Sequence, residues 1–109
     1  MVKIYCIDNS ELADFEASSR GYRSDVYVKT TSNQLYKLHV YDIVRLQQDF
    51  ETEIELHGYF GIEPNVILVK EVTFSNIKWT VEKLIGLRFF EYLKPIQPNE
   101  IDKFELTEI

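Results

Sequence analysis

Glu63-Pro64-Asn65-Val66-Ile67-Leu68-Val69-Lys70 is the stretch on which the fold turns. Its middle, Val66 to Val69, is a run of four apolar residues, too short for a helix and suited to a strand covered on both faces. Pro64 fixes φ just before the run and Asn65 favours a turn, so the strand has a sharp start. The stretch therefore reads as the central strand of a sheet. The remaining segments are read by the face of that strand they would cover.

Working outward, Asp42 to His57 is predicted as a helix. Asp42 is a good N-cap and Gly58 a good residue just past the C-terminus. Ile43, Leu46, Phe50, Ile54 and His57 recur at three- and four-residue steps, which predicts an apolar stripe. Val44 and Leu56 widen that stripe or sit on its edge. Asp49, Glu51, Glu53 and Glu55 are expected on the other face. Asp49 with Glu53, and Glu51 with Glu55, are like charges four apart, each costing a helix about 0.2–0.5 kcal/mol. Tyr59 and Phe60 follow in a loop before the strand.

Beyond the strand, a second helix is predicted over Thr73 to Ile85, capped by Thr73 or Ser75, with Phe74, Ile77, Val81, Leu84 and Ile85 on the helical repeat. Leu87 to Leu93 fits a further helical turn or an edge strand equally well. Pro95 and Pro98 stop regular structure, and Ile101, Phe104, Leu106 and Ile109 make the tail apolar enough to dock.

Toward the N-terminus, Tyr22 to Thr31 and Gln34 to Tyr41 alternate as the arms of a β-hairpin, and Asn33 can take a positive φ in the turn. Val2 to Ile7 reads as a strand with Val2, Ile4 and Cys6 on one side. Ser10 could cap a short helix over Glu11 to Ala17 that buries Leu12 and Phe15. The order strand, strand, strand, helix, strand, helix predicts a single α+β domain over residues 1–109. Its mixed sheet has about four strands, with the two main helices packed mostly on one face. The strand at 66–69 would be reached by a crossover, right-handed if the pairing is parallel.

Composition limits the function. The 109 residues are 45% hydrophobic and 14% aromatic, enough for one core. A net charge of −6 disfavours direct binding to nucleic acid or an anionic membrane and suits a basic partner. A lone cysteine excludes an internal disulfide and fits a reduced, cytoplasmic chain without a signal peptide. No apolar run approaches the ~20 residues of a spanning helix.

Catalytic and metal chemistry find no motif. His39 and His57 have no metal-ligand spacing, and Cys6 sits in an apolar strand. Ser18, Ser19 and Ser24 lack a nucleophile elbow, and four scattered glycines make no phosphate-cradling loop. No cofactor, metal or catalytic residue is expected, and the chain is read as a binding protein rather than an enzyme.

Residues 42 to 63 hold six acids against one base, Arg45. Such a segment is either a solvated face that aids solubility or a docking surface for a basic protein. On the second reading Asp49, Glu51, Glu53 and Glu55 supply steering charge, and Tyr59 and Phe60 supply apolar anchors.

In size, acidity and layout the whole chain resembles the immunity proteins of bacterial toxin systems, such as those paired with contact-dependent inhibition toxins. The stretch Pro64 to Thr73 followed by a helix also resembles small bacterial proteins. The resemblance implies a cytoplasmic protein that covers a cognate toxin, a nuclease domain among the candidates. Those families share no diagnostic motif, so it assigns no residue. The alternative is an interaction module or subunit of a larger assembly, using an open sheet edge, and the composition also permits a homodimer.

Overall fold

The computed structural model describes residues 2–101 and 105–109, with the side chains of 100 and 101 left aside. The predicted side chains of Ile101 and Phe104 thus lie outside the described residues. The chain forms one α+β domain around a five-stranded mixed sheet. Its elements are β1 (Lys3–Cys6), α1 (Glu11–Arg20), β2 (Tyr22–Lys29), β3 (Leu35–Tyr41), α2 (Ile43–His57), β4 (Val66–Leu68), α3 (Phe74–Gly86) and β5 (Thr107–Glu108). The strand order is β4-β3-β2-β1-β5, antiparallel throughout except for the parallel pair β3 and β4.

The hairpin forms as its alternation predicts. Val26 faces Leu38 and Val28 faces Tyr36, and Asn33 takes φ 67° in the turn. β1 lies inside the sheet because β5 pairs with its free side. Ile4 and Cys6 are buried on its inner side. Burial pushes the Cys6 thiol above its ordinary pKa, against a partial opposing pull from Thr107. The core clusters on this inner face: Ile4, Val26, Val28, Tyr36, Leu38, Val40 and Ile67 pack against Ala17 of α1, Ile77 and Val81 of α3, and Phe90. Leu87 to Leu93 resolves into a 3-10 turn at Phe89–Tyr92, entered through Arg88 at φ 60°. Phe90 there meets the Tyr36 ring edge-on at 5.1 Å.

Glu63 to Lys70 is placed differently from expectation. Residues 66–68 form an edge strand, not the central one. Its alternation explains the error. Ile67 points into the core, while Leu68 is 50% exposed on the outer side. A continuous apolar run is equally compatible with one buried face and one face left open. The chain reaches this strand through α2, and of the pairings the sequence leaves open the one formed with β3 is parallel.

Asn65, at φ 62°, closes the gap beside this short strand. Its Nδ2 donates to the carbonyls of Lys37 and Lys94, and its Oδ1 accepts from Lys94 N at 2.8 Å. Ile96 N then donates to Leu35 O. The margin of β3 that β4 leaves uncovered is thus closed by one side chain and a bridge from the C-terminal segment.

A second correction concerns α1. Ser10 caps it as predicted, but Leu12 and Phe15 are 66% and 69% exposed, and Ala17 is the buried residue. The helix turns its small residues inward, which lets it lie close to the sheet. Asp14 then accepts from Phe74 N at 2.7 Å, tying α1 to the first turn of α3.

A bulge between Arg23 and Val26 puts both residues on the inner side. Arg23 is 2% exposed, lies 4.6 Å over the Phe74 ring and donates to both oxygens of Asp25 and to the Asp8 carbonyl. Its Nη1 is buried without a hydrogen-bond partner among the described residues. Burial raises the Asp25 pKa, but the Arg23 hydrogen bonds and charge outweigh it and hold the carboxyl below its ordinary value.

Candidate interaction surface on the second helix

Local sequence builds α2 as expected. Asp42 accepts from Arg45 N, and Gly58 ends the helix at φ 80°. The placement of this helix differs from that of the other two. It contains no buried residue over its 15 positions. Its start is tied to the rest of the domain: Asp42 N donates to Gly21 O, Arg45 Nη1 donates to Arg20 O, and the Arg45 guanidinium lies 5.4 Å from the Tyr22 ring. Tyr22 in turn stacks on Tyr41 at 4.6 Å, on the outer side of the sheet. Burial first, then the neighbouring Tyr22, Asp49 and Glu63, push the Tyr41 hydroxyl up to about 12.

The predicted apolar stripe exists but does not reach the core. Ile43 is 62% exposed, Phe50 49% and Ile54 39%. Phe60 packs on Phe50 at 6.4 Å between ring centres, and Tyr59 lies 6.0 Å from the His57 ring while remaining mostly exposed. The loop that follows exposes Ile62 as well. These side chains continue the stripe past the C-terminus of the helix.

The four acids do not share the opposite face. At 100° per residue, Asp49 and Glu53 fall on one flank of the stripe and Glu51 and Glu55 on the other. The first flank leans on the domain and is partly neutralised. Arg45 Nε meets Asp49 at 3.0 Å, and His57 lies 3.8 Å from Glu53. On the second flank Glu51 accepts from the neutral Gln47 at 3.3 Å, and Glu55 meets no partner among the described residues. An exposed apolar strip between two acidic rows has the anatomy of an interface patch, with a greasy centre and a polar rim.

Sequence reasoning named Asp49, Glu51, Glu53, Glu55, Tyr59 and Phe60 as a candidate surface. It did not name Ile43, Phe50 and Ile54, whose exposed side chains border them, because an apolar stripe at helical spacing is read as core. The available sign is that apolar residues also stand at Val44 and Leu56, more than one buried stripe accounts for.

His39 is the other side chain with distinct surroundings. Its Nδ1 lies 2.6 Å from Glu63 and 3.3 Å from the Tyr22 hydroxyl. Burial holds its pKa below the ordinary value, more than Glu63 raises it, and Lys37 adds to the lowering. Among the described residues no three His, Cys, Asp or Glu side chains gather where a metal ion could be held. No helix there is long and apolar enough to cross a membrane. The chain matches no protein-family model, no curated protein and no solved structure.

Proposed function

We propose that this chain is a non-catalytic binding protein that uses α2 and the Tyr59-Phe60 corner to cover a basic protein partner. One observation carries the reading. A well-capped 15-residue helix holds an apolar stripe in solvent, between two rows of carboxylates. Helices of this length are marginal in water unless an apolar face is packed, so the stripe gains from a partner. The charge of the rim selects which partner. A second copy would set six acids and one base against the same excess, whereas a basic surface is attracted and steered. In its most specific form the partner is a cognate basic toxin domain, occluded in the cytoplasm by this immunity protein.

The test is co-expression with a basic protein encoded by an adjacent gene, followed by affinity measurements at two salt concentrations. Phe50→Ser combined with Ile54→Ser should weaken the complex about 100-fold, as loss of two central anchors does. Glu51→Gln with Glu55→Gln should slow association and flatten the salt dependence. A complex that keeps its affinity and salt slope in both variants would exclude α2 as the docking surface.

A further inference from the structure

At the opposite end of the hairpin from α2, the outer face of the sheet carries a basic depression. Lys3 and Lys29 are direct cross-strand partners, so two like charges face each other on one side of the sheet. Such a pair destabilises a sheet, and among the described residues neither lysine meets a carboxylate within ion-pair distance. Glu108 stands opposite Tyr5 on the same side, yet it too forms no ion pair there. Two lysines held side by side, with no carboxylate paired to them among the described residues, offer their charge to an anion.

Two adjoining cavities meet at this point. One, of about 260 Å³, is lined by Lys3, Lys29, Thr30, Thr31, Asn33 and Tyr5. The other, of about 310 Å³, shares Tyr5, Lys29 and Asn33 and is closed by Leu35, Pro98 and Leu106. The first offers two ammonium groups with hydroxyl and amide donors. The second offers an aromatic ring and aliphatic walls. Asn33 stands where they join, held at φ 67° by the turn, with its backbone N donating to Thr30 O.

We infer that this depression binds a small phosphomonoester, with its dianionic head between Lys3 and Lys29 and an apolar or aromatic body on Tyr5, Leu35 and Pro98. Two cations and several neutral donors match a doubly charged oxyanion better than a single carboxylate. The joined apolar cavity supplies the burial that a bare phosphate lacks. The site is independent of α2, since β3 spans the distance between them.

Phenyl phosphate is the probe, titrated into the isotopically labelled full chain and followed by NMR. Amide shifts should saturate at Lys3, Tyr5, Lys29, Thr31 and Asn33, with a dissociation constant of about 1 mM or tighter, as expected for a ligand of this size. Lys3→Met and Lys29→Met should each weaken binding about tenfold, the loss of one charge-assisted hydrogen bond. Both should melt no lower than the wild type, because each removes a like-charge contact. Lys78→Met, on exposed α3 surface, should bind normally. Inorganic phosphate should bind at least about tenfold more weakly than the phenyl ester. Shifts that do not saturate, or equal binding by Lys29→Met, would overturn the site. Equal binding of the two phosphates would overturn the amphipathic ligand.

Discussion

Compare α2 with α3. The helices have 15 and 13 residues, and each is opened by a side-chain cap in extended backbone, Asp42 and Thr73. Each carries an apolar stripe at the same spacing. Yet α3 sends Ile77 and Val81 into the core, while α2 leaves Phe50 and Ile43 in solvent. The periodicity of a helix records that one side avoids water. It does not record whether the cover comes from the same chain. What separates the two is the path on either side: α3 is tied through Asp14 and the Arg23–Phe74 stack to the inner face, whereas α2 is tied through Asp42 and Arg45 near its start, on the outer face.

The comparison breaks most readily at Asp25. On the α3 side, Asp25→Asn would leave Arg23 buried without its counter-ion. Chemical denaturation should show a loss of about 3–5 kcal/mol. The same pair sets an acid limit. Because the folded-state pKa of Asp25 lies below its ordinary 3.8, its contribution is present above that value and fades as pH falls through the lowered one. The wild type should therefore lose stability below pH 3.8 through this pair, and Asp25→Asn should lack that component of the acid transition.

Next in size is the contrast between the stripes themselves. Ile77→Ala should cost about 2–5 kcal/mol, the range for truncating a buried aliphatic side chain. Phe50→Ser should cost under about 1 kcal/mol, because its ring is half in water already. Equal losses in urea melts would mean that α2 contributes to the core after all, and the proposed docking surface would go with it. The caps come third. Asp42→Ala and Thr73→Ala should each remove about 1 kcal/mol of helix stability. Hydrogen exchange should place the first loss in local opening of α2 and the second in global unfolding. Smallest of all, Asp49→Asn should change stability by no more than about 0.5 kcal/mol, since it pairs with Arg45 near the surface.

The local grammar of the chain is legible in its sequence. Capping residues at 42, 58 and 73, the turn at Asn33 and the inward side of β1 all form as read, because each depends on neighbours in sequence. The errors lie where the answer depends on distant chain. Residues 66–69 read as a central strand, since nothing in them says that only β3 pairs with them. Leu12 and Phe15 read as interior because they are large, while the close approach of α1 favours Ala17. β5 is two residues long, too short for any alternation, and the tail could be read only as apolar enough to dock. Of the candidate site, charge was visible in the sequence. The exposed stripe beside that charge was not, because exposure is a property of the whole fold.

Gly21 carries a consequence for how α2 is held. It ends α1 at φ 71°, receives Asp42 N on its carbonyl, and a Cβ there would sit 2.6 Å from both Asp42 carboxylate oxygens. A single methyl would act as a wedge under the root of the next helix. The angle at which the domain presents that helix is thus set by a hinge pin without a side chain. Drift at position 21 would re-aim the display while leaving every displayed residue unchanged.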